Sequence, residues 1–414
     1  MPVVFVHGNG DSAALWLTTL WRFESNGFPR ERLLALNLPD PLARADHALP
    51  QPDRSGTEDQ RRAFAEGVAR LRAATGAARV AAVANSRGGY AIRSYVRGGG
   101  GDIARAVLCG VPNHGVYAWE DNPGGEFNGR GPFLAGLNGR EPEADPGAEW
   151  LTLRSDALDK YAQADGRFAG RPGRPTGVTA EGPALTGATN LVLPGLDHRE
   201  VAFHPRAFRE MFRFIAGREP GRIAVLPEAR VVLDGLVTGL AAGAPTNRPL
   251  AGAQVELFRV AAETGARIGE ALHRVTTGAD GRWGPVAVAP TDALEFVLAA
   301  EGHPIAHVYR SPFPRSSDVV HLRPARAPAG EAAGSVVSMT RPRGYFGLPR
   351  DVVLLDGREP ADVARGVPTD STTTLRLAEA EVGRPVVAQF NDERIVARAW
   401  PAAENRVVVA ELTY

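Results

Sequence analysis

Apolar and polar residues alternate in two different ways along this chain. Up to about residue 217, short apolar runs are followed by stretches whose apolar residues recur every three or four positions, as in buried strands followed by amphipathic helices. After Glu219 the helical periodicity disappears, and short β-type runs separated by Gly, Pro and Asp take over. The pattern predicts an α/β region followed by an all-β region.

The first region is expected to contain a mostly parallel sheet, because strands that alternate with helices at this spacing form βαβ units. The predicted strands are Val3 to Val6, Arg32 to Leu38, Val80 to Asn85, Ile103 to Gly110, Trp150 to Arg154 and Asn190 to Leu193. The predicted helices are Trp16 to Asn26, Thr57 to Thr75, Tyr90 to Arg97 and Pro205 to Ala216. We expect one domain over residues 1–218, with a long insertion at about 116–149.

The second region is predicted to form two small sandwich-like or barrel-like β domains, at residues 219–328 and 329–414. The candidate strands are Val231 to Leu236, Ala253 to Phe258, His273 to Thr277, Val286 to Val288, Leu294 to Ala299, Val352 to Leu355, Val386 to Phe390 and Arg406 to Thr413. Gly281 can supply the positive φ of a hairpin turn at Ala279-Asp280-Gly281-Arg282. The first β domain resembles a transthyretin-like sandwich, and an Ala/Pro/Gly-rich linker at Ala325 to Gly334 precedes the second.

Composition excludes several classes of partner. The 414 residues include 47 Lys or Arg and 47 Asp or Glu, and this balance argues against a nucleic acid or an anionic membrane surface as partner. Cys109 is the single cysteine, so no intrachain disulfide indicates a redox compartment. No apolar run has the length of a transmembrane segment. No signal peptide precedes the strand at Val3, so we expect either an intracellular protein or one whose leader has been removed.

The stretch from Val80 to Tyr90 carries the strongest chemical motif. An apolar strand pattern stops at Ser86 and a helix pattern follows, which predicts the strained turn that exposes a nucleophilic serine above a sheet edge. That turn needs small residues two positions before and after the serine. Ala84 and Gly88 occupy these positions, so the first is one methyl group larger than the usual glycine.

A serine nucleophile needs a histidine to take its proton and an acid to orient that histidine. In this arrangement the chain order is serine, acid, histidine. A predicted strand ends at Asp156, and the next ends in a loop with His198, so we assign these two residues with Ser86 to a catalytic triad. Asp159 remains an alternative acid and His204 an alternative histidine, although His204 precedes Pro205 at a predicted helix start, where capping is favoured.

The oxyanion of the reaction needs two backbone N–H donors, and we assign them to Asn9 and Arg87. The glycines of His7-Gly8-Asn9-Gly10 leave room beside a reacting carbonyl. His7 is expected to have a structural role in this loop. No glycine-rich loop ends in Lys-Ser or Lys-Thr, which argues against a phosphate site. The predicted chemistry needs neither a metal nor a cofactor.

The insertion at about 116–149 is too long for an ordinary connection. Its aromatic residues Trp119, Phe127 and Phe133 are candidates for substrate binding, as is His114 just before it. Two interpretations stay open: a mobile lid over the active site, or a fixed loop whose aromatic residues pack onto the domain.

Several segments resemble the bacterial and archaeal lipases of the α/β-hydrolase superfamily, and most specifically an archaeal lipase type with a C-terminal β domain. They are Val3 to Gly10, the elbow around Ser86, the Asp156 and His198 segments, Asp197 to Ile215 and Pro304 to Asp318. The Ala84-Asn85 step departs from the Gly-His that is usual there.

The resemblance implies an α/β-hydrolase domain over residues 1–218 and hydrolysis of carboxylic esters, such as acylglycerols, with β domains that help engage lipid. The alternatives are a polyesterase that acts on an insoluble polymer and, less favoured, a non-catalytic binding protein that retains the hydrolase fold.

Overall fold

The computed structural model describes all residues from Met1 to Tyr414. Its residues group into two compact units, one comprising Met1–Ala224 and Pro245–Asn247, the other Val225–Ala244 and Arg248–Tyr414. The second unit covers strands from both regions in which separate β domains are predicted. No helix combines the length and the apolar character that crossing a membrane requires.

The first unit is built on a six-stranded sheet in which every neighbouring pair is parallel. In chain order its strands are β1 Val3–Val6, β2 Leu33–Leu36, β3 Val80–Asn85, β4 Ile103–Cys109, β5 Glu149–Arg154 and β6 Thr189–Val192. They lie in the spatial order β2-β1-β3-β4-β5-β6. All six predicted strands are therefore confirmed, and the carboxyl ends of β3, β4, β5 and β6 meet at one edge.

The helices of this unit are α1 Leu17–Ser25, α2 Thr57–Thr75, α3 Gly88–Arg97, α4 Pro132–Leu137, α5 Glu200–Phe203 and α6 Pro205–Ala216. Every residue of β3 is buried, which accounts for its continuous apolar sequence. Phe64 and Val68 of α2 and Ile92 of α3 pack in one core cluster with Val4 and Ala82 of the sheet. This parallel sheet and its crossover helices confirm the predicted α/β-hydrolase architecture.

The second unit contains only strands and short 3₁₀ turns. Its strands are β7 Val231–Leu233, β8 Thr238–Ala241, β9 Ala244–Pro249, β10 Gln254–Val260, β11 His273–Thr276, β12 Val286–Val288, β13 Ala293–Ala299, β14 Ile305–Arg310, β15 Ser335–Thr340, β16 Val353–Leu355, β17 Thr372–Leu377, β18 Pro385–Phe390, β19 Glu393–Arg398 and β20 Arg406–Glu411. Within β9, residues Pro245–Asn247 are grouped with the first unit. The predicted turn at residues 279–282 is present, and Gly281 adopts φ +65° there. It does not close a hairpin, because the flanking strands β11 and β12 pair with β10 and β7 and not with each other.

One mixed sheet of seven strands, in the order β11-β10-β13-β14-β20-β15-β17, spans both β regions. The C-terminal strand β20 lies between β14 and β15 and pairs with both in parallel. Strands β8, β9, β14, β15, β17 and β19 were not predicted individually. The all-β character of the region after residue 219 is confirmed.

Candidate active site

Ser86 lies in a strained turn between β3 and α3. Its φ is +50°, a left-handed value that few non-glycine residues adopt. Its backbone N–H donates to the carbonyl oxygen of Cys109 at the end of β4, at 2.9 Å. This anchor holds the strained turn at the carboxyl edge of the sheet, where the sequence predicted it.

The residues around Ser86 are small because the backbone of β1 runs close by. A Cβ atom on Gly88 would lie 2.7 Å from the carbonyl oxygen of His7, and one on Gly8 would lie 3.0 Å from the Cβ of Ser86. Ala84 is fully buried and packs in the same apolar cluster as Val6. The extra methyl group at position 84 therefore has room in the core, whereas a side chain at position 88 would not.

His198 pairs with Asp159 rather than with Asp156. Nδ1 of His198 lies 2.9 Å from Oδ2 of Asp159, and both side chains are largely buried. The other oxygen of Asp159 accepts a hydrogen bond from the backbone N–H of Tyr161, whose ring packs edge-on against the imidazole at 4.6 Å between ring centroids. The carboxylate and the tyrosine ring together fix the orientation of His198.

The sequence assignment of Asp156 as the partner of His198 is corrected by this geometry. The carboxylate of Asp156 accepts hydrogen bonds from the backbone N–H groups of Leu158, at 3.0 Å, and Gly195, at 2.8 Å. It therefore stabilises the turn after β5 and joins it to the loop before His198. Asp156 therefore stabilises the segments that carry Asp159 and His198 but is not itself part of the Asp159–His198 pair.

Asn85, next to the serine, connects the elbow to the histidine loop. Its Nδ2 donates to the carbonyl oxygens of Cys109 and His198, at 2.9 and 3.2 Å, while its Oδ1 is buried with no hydrogen-bond partner. Nε2 of His198 is likewise buried without a partner, so the nitrogen opposite the Asp159 contact remains available for a proton. The sequence marked position 85 as unusual but did not predict this link.

The two residues predicted to donate backbone N–H groups, Asn9 and Arg87, lie near Ser86. Arg87 follows Ser86 at the start of α3, and Asn9 follows Gly8, which lies against Ser86. Neither backbone N–H donates to an acceptor within the protein. The side-chain oxygen of Asn9 accepts a hydrogen bond from the Ala43 N–H at 2.8 Å, which holds this loop in place.

A cavity of about 300 Å³ lies beside the His198–Asp159 pair. His114 lines it and bonds through Nε2 to Glu143 at 2.9 Å; its contact with a substrate stays a prediction. Much of the remaining wall consists of small residues, namely Gly110, Gly115, Ala118, Gly129, Ala162, Gly177, Ala180 and Gly182.

The other three substrate-binding candidates do not line this cavity. Trp119 is buried, stacks on Tyr117 at 4.3 Å and donates through Nε1 to the carbonyl oxygen of Pro175. Phe127 and Phe133 pack against Tyr90 of α3, at 6.0 and 5.5 Å between ring centroids. The aromatic residues of the insertion therefore serve packing in this structure.

The remaining histidines near the site have local partners. His204 caps α6 by accepting a hydrogen bond from the Arg206 N–H, the role favoured by its position before Pro205. His7 is buried, and its Nε2 accepts from the Leu38 N–H at 3.1 Å, in keeping with a structural role.

Two family profiles match the chain. Residues 1–114 match the family described as Lipase (class 2), and residues 230–327 match the Lipase C-terminal domain. The first match includes the loop of Asn9, the Ser86 elbow and His114, and the second lies within the all-β region. No curated protein sequence matches the chain significantly.

Several solved structures are similar to part of this chain. The mature lipase BlEst2 of Bacillus licheniformis has 18% identity and a TM-score of 0.35, covering 51% of this chain and 89% of its own. Lipase B of Aspergillus fumigatus has 16% identity and a TM-score of 0.36, covering 54% and 53%. The carboxylesterase CesB of Bacillus subtilis has 14% identity and a TM-score of 0.29, covering 52% and 84%.

The family matches confirm the resemblance stated from the sequence. The α/β domain carries the profile of class 2 lipases, and the β region carries the profile of a lipase C-terminal domain. Together the two matches support a lipase or esterase with a C-terminal domain.

Proposed function

We propose that this protein hydrolyses carboxylic esters through an acyl-enzyme on Ser86. One observation carries the proposal: beside the strained Ser86 turn, His198 is oriented by Asp159 at 2.9 Å and keeps a buried Nε2 without a partner. A histidine oriented through Nδ1, with Nε2 available, is the arrangement that activates a serine hydroxyl.

In the first half-reaction, the Ser86 oxygen attacks the ester carbonyl while Nε2 of His198 takes the hydroxyl proton. Asp159 stabilises the resulting imidazolium through its bond to Nδ1. The developing oxyanion receives hydrogen bonds from the Asn9 and Arg87 backbone amides, which have no acceptor within the protein. His198 then returns the proton to the departing alcohol, and the acyl group stays on Ser86.

In the second half-reaction, a water molecule takes the place of the alcohol. His198 removes a proton from this water, which attacks the acyl carbonyl and releases the carboxylic acid and free Ser86. The same two amides stabilise the second tetrahedral intermediate, so no additional group is needed.

For the substrate, we propose lipid-type esters with a short or medium acyl chain. The family matches support a lipolytic ester hydrolase. The cavity beside His198, at about 300 Å³, lies at the lower end of the range of small-molecule sites, which is about 300–1,000 Å³. If the acyl chain occupies this cavity, which His198 and Asp159 line and Ser86 does not, esters of long-chain acids react more slowly than short-chain esters.

The proposal is tested with purified Ser86→Ala and, as a control, Ser94→Ala in α3. We expect Ser86→Ala to lose hydrolysis of p-nitrophenyl esters and labelling by a fluorophosphonate probe while its circular dichroism stays unchanged. Ser94→Ala should retain both activities. Retained turnover in Ser86→Ala would overturn the nucleophile, and a wild-type protein that neither turns over esters nor takes the label would support a non-catalytic role instead.

A matched series of p-nitrophenyl esters and a polyester film separate the substrate classes. We expect the highest kcat/KM for acyl chains of intermediate or short length and little release from the film. Rapid release of soluble products from the film, with weak activity on the soluble esters, would favour the polyesterase alternative.

A further inference from the structure

The side chain of Arg87 lies in a buried ion pair with Glu126. Both side chains are about 1% exposed, and the Arg87 Nε and Nη2 atoms face the two carboxylate oxygens of Glu126 in a bidentate arrangement. Burial raises the pKa of Glu126 above its ordinary value, although the charge of Arg87 opposes this shift. The pair is therefore enclosed by protein rather than placed at the surface.

Arg87 also bonds to the loop that follows β2. Its Nη1 donates to the carbonyl oxygen of Pro41, at 3.2 Å, and to Oγ of Ser55, at 3.0 Å, while Nη2 donates to the Ser55 carbonyl oxygen. One guanidinium group thus joins three separate segments: the serine elbow, the loop after β2 and the insertion that carries Glu126.

The insertion contacts α3 at a second point next to Glu126. Phe127 packs against Tyr90, one turn along α3 from Arg87, and its carbonyl oxygen accepts from the backbone N–H of Val116. The segment that carries Glu126 is therefore anchored by a hydrogen bond within the insertion and by packing against the first turn of α3. This anchoring favours a fixed wall over a mobile lid for this part of the insertion.

We propose that Glu126 is a positioning residue for the oxyanion site, because it fixes the side chain of the residue whose backbone amide binds the oxyanion. The inference rests on the proposed function. The amide of Arg87 follows the strained Ser86 turn, and Gly88 on its other side lies against the backbone of β1. Between Ser86 and Gly88, the buried and hydrogen-bonded side chain of Arg87 restricts rotation of the peptide that carries the Arg87 amide. Such preorganisation lowers the barrier without contributing to ground-state binding.

The test uses Glu126→Gln, which keeps the shape of the side chain, and the double variant Arg87→Met with Glu126→Met. The double variant leaves no unpaired buried charge, so it is expected to fold. Asp145→Asn is the matched control. It removes an ion pair in the same unit, in which Nε of Arg97 lies 2.9 Å from Oδ2 of Asp145. Circular dichroism at the assay temperature establishes that each variant is folded.

We expect the double variant to lower kcat by at least about tenfold while KM changes by less than about threefold, since removing an oxyanion donor outright costs about 10²–10³-fold. Affinity for a boronic acid that mimics the tetrahedral intermediate should fall by a similar factor. Glu126→Gln should lie between the double variant and the wild type, and Asp145→Asn should change neither quantity.

A folded double variant with wild-type kcat and wild-type affinity for the boronic acid would overturn the inference. So would an equal loss of kcat in Asp145→Asn, because that result would indicate a general effect of destabilisation. Failure of the wild-type protein to hydrolyse esters, or to be labelled at Ser86, would instead reject the proposed function itself.

Discussion

Oδ2 of Asp159 lies 2.9 Å from Nδ1 of His198, although Asp156 is the acid at the end of the strand pattern. The two carboxylates lie in the same turn after β5 and have different tasks. Asp156 accepts two backbone N–H bonds that shape the turn, and the shaped turn presents Asp159 to the imidazole. An acid three residues further along the chain therefore fills the place that the sequence assigned to Asp156.

Replacing each of these acids separately should give different losses. Asp159→Asn is expected to lower kcat for p-nitrophenyl butyrate by up to about 10⁴-fold, because the amide no longer stabilises the imidazolium or fixes its tautomer. Asp156→Asn retains one acceptor oxygen, so it should mainly reduce the free energy of unfolding, by about 1 kcal/mol. A larger loss of kcat in Asp156→Asn than in Asp159→Asn would contradict this division of roles.

The close approach at Gly88 predicts that this glycine is required. In Gly88→Ala the new methyl group would meet the backbone oxygens of His7 and Val6 at 2.7 and 2.9 Å, so we expect a loss of about 1–3 kcal/mol in the free energy of unfolding. Gly136→Ala in α4 is the control, since no atom lies within 4 Å of its added methyl group. Thermal unfolding of the two variants compares them directly, and equal stability of both would show that the elbow can shift to admit a side chain.

The packing of Trp119 predicts an effect on stability rather than on specificity. Its ring stacks on Tyr117, and the guanidinium groups of Arg171 and Arg174 lie over it at 4.8 and 4.7 Å. Trp119→Ala should lower the free energy of unfolding by about 3–5 kcal/mol and leave the order of preference for acyl length unchanged. A changed order of preference without loss of stability would place Trp119 in the substrate site after all.

Acid pH should destabilise the β unit through two buried groups. Burial alone would raise the pKa of Glu295, but hydrogen bonds from His307 and Arg267 outweigh this effect and lower it. Burial lowers the pKa of His307, despite its hydrogen bond to Glu295. Both groups therefore bind fewer protons in the folded state than in the unfolded state, and stability falls as the pH is lowered.

The loss should begin as the pH falls below 6.5, the ordinary pKa of histidine, and deepen below 4.5, the ordinary value for Glu295. Denaturant unfolding of the full chain at a series of pH values measures it. His307→Gln should remove the part of the pH dependence that lies between these two values. If the variant and the wild type lose stability equally over that interval, His307 is not the responsible group.

Local sequence patterns were sufficient for much of the catalytic unit. The buried strand before Ser86 and the helix from Thr57 to Thr75 follow from short-range preferences that hold wherever the segment lies. Ser86 and His198 could be assigned because each follows the carboxyl end of a predicted strand, where parallel strands bring their loops together.

The identity of the acid could not be read in this way. Asp156 and Asp159 differ by three positions, and the path of one irregular turn decides which carboxylate faces His198. That path depends on a hydrogen bond that the Gly195 N–H donates to Asp156, 39 positions away along the chain. Spacing alone therefore left both acids as candidates.

The aromatic insertion and the β region likewise contain features that sequence alone did not predict. An aromatic residue has the same sequence signature whether it lines a cavity or fills a core, so only the tertiary structure placed Trp119, Phe127 and Phe133 in packed positions. In the β region, β20 lies between β14 and β15, and these pairings join segments far apart in the chain. Sequence by itself determined the six strands of the parallel sheet, four of the helices and the candidate serine and histidine, because these follow from patterns among neighbouring residues. Tertiary structure decided the acid, the cavity wall and the Arg87–Glu126 pair, because each depends on contacts between distant segments.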